Sequence, residues 1–176
     1  MPKSSINQIK LDEKRVIKVL QNNSKESIDN IAKKSGFSRQ KVWRIIKRLE
    51  KNKTIWGYHA VIEEEKIDMK SFILLIKGKR LPIGNPSEEY IIERTIDKIG
   101  EKIGIIVEDS IWLHGEYDWV MSFLAKDLKT AKKFNELFSK QYLGNISELK
   151  LMEKIITVKK DGFINPKISK GKKLLD

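Results

Sequence analysis

The sequence predicts an α+β protein: a three-helix, winged helix-turn-helix over its N-terminal third, followed by a ferredoxin-like βαββαβ domain. Three observations predict it. Before residue 52, apolar residues recur at helical spacing in three short stretches, and Gly36 separates the second from the third. After residue 68, apolar strand-length runs and amphipathic stretches follow one another in the order β-α-β-β-α-β. The charge also changes along the chain. Residues 1–62 hold 15 Lys+Arg against 5 Asp+Glu, residues 63–160 hold 17 against 17, and the tail from 161 holds 4 against 2. The expected organisation is a helix-turn-helix with its linker strand over 1–62, a dimerisation and effector domain over 63–160, and a basic tail over 161–176. A chain of 176 residues has room for two such small domains, each with its own core.

The first helix is expected to open at Asp12 and to carry Val16, Ile17, Val19 and Leu20 on one side, ending before Gln21. Ser27 is placed to cap a second, with Ile28, Ile31 and Ala32 as its buried stripe. Ser38 caps the third, in which Val42, Ile45, Ile46 and Leu49 form the inner face before Asn52 and Lys53 end it. A strand is expected over Ile55 to Ile62, then a solvated acidic linker from Glu63 to Asp68. In the second domain, strands are expected at Phe72 to Ile76, Ile105 to Leu113, Trp119 to Ala125 and within Ile146 to Val158. Helices are expected over Glu88 to Ile103 and Thr130 to Tyr142, and a tight turn over Gly115 to Asp118. Strands such as Phe72 to Ile76 are apolar on both faces, whereas two helices cover only one. The other face is expected to meet a second copy.

The positive N-terminal third suits a polyanion, because neutralising phosphates releases condensed counterions. In the third helix the inward set turns Gln40, Arg44, Lys47 and Lys51 outward, with Trp43 and Arg48 on the flanks. Gln40, Trp43 and Arg44 are placed to enter the major groove, where Gln reads adenine and Arg guanine. Lys47, Arg48 and Lys51 are placed to touch phosphate, and Ser38, Arg39 and Lys41 of the first turn are counted in the same double-stranded DNA surface.

These residues, with others downstream, resemble the Lrp/AsnC, or feast/famine, transcriptional regulators. The first part of the resemblance runs through Leu11-Asp12, Ile17, Leu20, Ser27, Ile31-Ala32, Phe37-Ser38, Val42, Lys47-Arg48-Leu49-Glu50, Ile55 and Gly57-Tyr58. The second is Gly115-Glu116-Tyr117-Asp118, which looks like the Gly-x-Tyr-Asp turn of that family's effector domain. The resemblance spans Leu11 to about Lys159. It implies a homodimer built through the C-terminal sheets, assembling further to tetramers or octamers and binding pseudo-palindromic promoter DNA. It also implies an amino-acid effector held between C-terminal domains, near His114, Gly115, Glu116, Tyr117 and Asp118. The sequence departs from the family pattern in four places. Ile45 replaces the usual Arg, Lys53 the usual Gly, and His114 a small hydroxyl residue, and the Lys79 to Ser87 connection is long.

Other chemistries find no residues. With no Cys and two His in different predicted domains, no metal site is indicated, and no cofactor is called for. No phosphate loop, nucleophile elbow or paired catalytic carboxylates are present, so a non-enzyme is expected. The absence of an apolar signal core, or of a run near the ~18 residues of a membrane span, points to the cytoplasm. The alternative is a basic RNA-binding protein with a ferredoxin-like domain. It would need exposed stacking aromatics on the sheet, and only Phe72, Trp119 and Phe123 are candidates.

Overall fold

The computed structural model describes residues 5–79 and 93–168, which fall into two compact units divided between Val61 and Ile62. Unit 1 holds three helices: α1 (Ile6–Asn22), α2 (Ile28–Ser35) and α3 (Arg39–Lys51). Each is opened by a serine whose hydroxyl accepts from a backbone N–H of the first turn: Ser5 from Gln8, Ser27 from Asn30 and Ser38 from Lys41. The caps at Ser27 and Ser38 agree with expectation, but α1 begins six residues before Asp12. Asp12 is no cap. It is buried inside α1, where Oδ1 accepts from Gln8 Nε2 at 2.9 Å and Oδ2 lies 2.6 Å from Lys41 Nζ. Gly36 ends α2 in the left-handed conformation that side-chain-bearing residues avoid, at φ 73°. Val16, Ile31, Ala32, Val42, Ile45 and Leu49 form the core, flanked by Ile46 and Ile55.

After α3, Lys53 takes φ 60°, a left-handed conformation that Gly would adopt without strain. The strand expected over Ile55 to Ile62 does not form: this stretch is irregular, and Trp56 is 94% exposed. A strand needs a neighbouring backbone to pair with, and none lies beside it among the described residues.

Unit 2 runs β1 (Lys70–Gly78), α4 (Thr95–Glu101), β2 (Ile106–Trp112), β3 (Trp119–Ala125), α5 (Leu128–Gln141) and β4 (Ile146–Glu153). The four strands form one antiparallel sheet in the order β2-β3-β1-β4, the expected ferredoxin-like arrangement. Asp127 caps α5, so that helix starts two residues before Thr130. Of the helix expected over Glu88 to Ile103, Thr95–Glu101 forms as α4, residues 93–94 and 102–103 are turns, and residues 88–92 lie outside the described residues.

One sheet face carries Phe72, Leu74, Ile76, Trp119, Met121 and Phe123, all buried beneath Ile96 of α4 and Ala131, Phe134 and Phe138 of α5. The three aromatics that an RNA-stacking surface would need are therefore covered by the protein's own helices. The opposite face is lined by Ile73, Leu75, Val120 and Leu124, with Ile106 and Ile111 of β2 about half exposed at 51% and 49%.

One expectation is corrected at the start of this unit. Glu63 to Asp68 is not simply a solvated linker: Glu64–Ile67 is a 3-10 turn, and acids of this stretch find cations far along the chain. At the other end, Lys159–Lys160 and Phe163–Ile164 pair as a short hairpin that runs into the basic tail. Lys160 Nζ lies 2.9 Å from Glu64 Oε1 and 2.8 Å from Glu108 Oε1, and Lys167 Nζ lies 2.5 Å from Glu63 Oε2. Burial pulls the Lys160 ammonium down, but its bonds to Glu108 and Glu64 outweigh that and leave it raised.

Candidate nucleic-acid interface and effector turn

Helix α3 is held on α1 by charged pairs as well as by its apolar face, and those pairs divide the basic residues between two jobs. Lys41 turns inward, bonded to Asp12 and 4.0 Å above the centre of the Phe37 ring. Arg48 Nε donates to Glu13 of α1 at 2.7 Å. The sequence counts both in the DNA surface; their side chains also tie α3 to α1. Arg39 pairs with Asp29 at 3.3 Å, and Ser38 is engaged as the cap.

Gln40, Trp43, Arg44, Lys47 and Lys51 remain on the exposed side of α3. Trp43 is 52% exposed, unusual for a large aromatic with no partner to cover it. Arg44 Nε leans on the Gln40 carbonyl at 3.4 Å, and no acidic side chain among the described residues pairs with it. Lys47 pairs with Glu50 at 2.9 Å, and this lysine holds the Glu50 carboxyl below its usual range. The row thus offers an amide, an indole and a guanidinium at one end and ammonium groups along its length. That is the chemistry of base edges followed by phosphates.

The Asp12–Lys41 bond has a testable consequence. The Lys41 hydrogen bond dominates in lowering the Asp12 carboxyl below its ordinary value of 3.8, against the opposing effect of burial. A lowered folded-state pKa adds stability that is present above the unfolded value and lost as pH falls through the folded one. Unit 1 should therefore lose stability below about pH 4. Asp12→Asn should cost about 1–3 kcal/mol at neutral pH and flatten this acid limb, as read by urea unfolding at several pH values.

In unit 2, the turn residues His114, Gly115 and Glu116 are exposed, Tyr117 is half-buried and Asp118 is buried. Asp118 serves the fold directly. Its Oδ2 accepts from Gly78 N at 2.7 Å, its carbonyl accepts from Leu113 N at 2.8 Å and its own N–H donates to Ile76 O at 3.0 Å. The carboxylate thus ties the loop to the end of β1. Tyr117 presents its ring to Lys150 Nζ, 5.3 Å from the ring centre. Contact with Tyr117, then with Glu148, holds that ammonium above its usual range. Gly115 does not take a positive φ, and a Cβ there would meet nothing within 4 Å. From residue 80 on, the long connection after β1 lies outside the described residues.

Among the described residues no three His, Cys, Asp or Glu side chains group to hold a metal, and no helix is long and apolar enough to cross a membrane.

Residues 13–55 match the family model described as winged helix-turn-helix DNA-binding. The chain is 28% identical over 120 residues to the HTH-type transcriptional regulator Ptr1 of Methanocaldococcus jannaschii, covering 68% of this chain and 74% of that one. In fold it is similar to the AsnC family transcriptional regulator from Agrobacterium tumefaciens, with TM-score 0.60 and 17% identity over 90% of this chain and 97% of the other. It is similar also to the transcriptional regulator NMB0573 of Neisseria meningitidis, solved as a complex with L-Met, with TM-score 0.63 and 16% identity over 89% and 95%. The resemblance to the Lrp/AsnC regulators therefore holds in fold across both units, and unit 1 carries a winged helix-turn-helix DNA-binding module.

Proposed function

We propose that this protein is a cytoplasmic, sequence-specific transcriptional regulator that acts by binding duplex DNA rather than by catalysis. The observation that carries the reading is the outward row Gln40, Trp43, Arg44, Lys47 and Lys51 on α3, within a segment that matches a DNA-binding family. The name of the Methanocaldococcus relative supports the regulatory role. Competition of a bound duplex by unlabelled duplex and by single-stranded RNA tests it. Duplex should displace at far lower concentration, and equal displacement would overturn the reading.

The opposite sheet face, where Ile106 and Ile111 are half exposed and Ile73, Leu75 and Val120 partly so, supports a two-fold dimer in which two such faces pack together and place two α3 helices on pseudo-palindromic half-sites, with tetramers or octamers as further assembly. Light scattering should find at least a dimer at micromolar concentration, and a monomer would remove this part.

The turn from His114 to Asp118 is proposed as part of an amino-acid effector site, a reading supported by the L-Met bound to the Neisseria regulator. Because Asp118 also holds β1, its replacement would disturb the sheet; exposed His114 and Glu116 are the informative positions. Calorimetry with the twenty amino acids should give heat with wild type and less with His114→Ala or Glu116→Ala. Gly115→Ala, placed in open space, should alter folding stability by less than about 1 kcal/mol, so that any loss of effector heat reports on the site itself.

A further inference from the structure

The positive charge of unit 1 does not lie where the DNA-reading helix alone would put it. Four of the six cations on α3 are matched by acids: Arg39 by Asp29, Lys41 by Asp12, Lys47 by Glu50 and Arg48 by Glu13. Two of those acids, Asp12 and Glu13, belong to α1. Their engagement leaves Lys10, Lys14, Arg15 and Lys18 of α1 without an ion pair among the described residues. The unneutralised charge is thus concentrated on α1.

Part of it converges on a concavity. Arg15 and Lys18 of α1 and Lys33 and Lys34 of α2 line an open hollow of about 550 Å3, with Val19 and Asn22 among the rest of its wall. No acidic residue lines it, and only Lys34 has an acidic partner, Glu26. No residue of α3 lines it either. Phe37, which stacks under both Lys41 and the Arg15 guanidinium 5.9 Å from its centre, lies between α3 and Arg15. Cations gathered without counter-charge repel one another, and an anion relieves that repulsion. An open hollow whose rim carries four cations suits phosphates on a polymer passing across it, whereas small metabolites take enclosed sites.

We propose that this hollow is a second phosphate-binding surface, in which Arg15, Lys18 and Lys33 take backbone phosphates of duplex DNA that α3 does not reach. It adds affinity and salt dependence without sequence preference.

The test is the salt dependence of full-length protein binding to a long mixed-sequence duplex. Each lost phosphate contact lowers the slope of log affinity against log salt by about 0.9, so the triple variant Arg15→Gln/Lys18→Gln/Lys33→Gln should lower it by about 2 to 3. Lys132→Gln/Lys133→Gln, which removes exposed charge from α5, should leave the slope unchanged. A triple variant indistinguishable from that control overturns the proposal. Should the triple variant melt early, single Lys33→Gln carries the same test, with a fall of about 1 expected. Inorganic phosphate provides the other arm, read from the backbone amide resonances around Lys33 and Gly36. If phosphate shifts them to saturation at concentrations that leave the duplex bound, the hollow is a small-anion site and the duplex assignment fails. Arg44→Ala is measured alongside. An affinity loss there with an unchanged slope in the triple variant would remove the hollow while leaving the role of α3 intact.

Discussion

Arg44→Ala is expected to lower affinity for a preferred duplex by about 1–3 kcal/mol, roughly 5- to 150-fold, while affecting mixed-sequence duplex much less. Its side chain is exposed on α3 and free of acidic partners among the described residues, so its guanidinium edge is available to a guanine without first breaking an ion pair. Lys47 differs because it must release Glu50 before it meets a phosphate. Lys47→Ala should therefore weaken all duplexes alike and reduce the salt slope by about 1 or less. Fluorescence anisotropy on a selected site and on mixed sequence, at several salt concentrations, separates the two. Equal losses on both duplexes for Arg44→Ala would make it another phosphate contact and place base reading elsewhere on the helix.

Phe134→Ala should destabilise unit 2 by about 3–5 kcal/mol, a large share of what a domain of this size possesses. Phe134 is wholly buried, meets Phe123 edge-on with ring centres 4.9 Å apart, and lies where a Cβ on Gly100 would already touch it at 3.4 Å. Removing the ring empties the junction of α4, α5 and β3. Urea unfolding followed by the near-ultraviolet signal of Trp119 should shift by that amount, and a shift below about 1 kcal/mol would contradict a close-packed junction.

The parts of this architecture legible in the sequence are those governed by short-range rules. Ser27 and Ser38 announce their helices because a capping hydroxyl acts within three residues, and β3 is bounded by its own apolar run. What stays hidden depends on partners distant along the chain. Asp12 reads as a helix start because acids favour first turns, and only the fold brings Lys41 to it. The period of α3 gives its outward row, but it cannot tell that Arg48 is committed to Glu13, 35 residues away. Ile55 to Ile62 has the composition of a strand, yet composition supplies no neighbour for its backbone. The basic hollow gathers residues from α1 and from the end of α2, which the linear charge count reports only as a sum.

The clasp of Lys160 on Glu64 joins residues 96 apart and ties the entry of unit 2 to its exit. In a chain made from its N-terminus, Glu64 emerges long before its partner exists, so this bond waits until Lys160 has been made. The core residues of the helix-turn-helix, all at or before Ile55, are present well before that bond can form. For the same reason a label or fusion placed just after Lys160 acts close to where unit 2 begins at Ile62, although in sequence it lies toward the far end of the molecule.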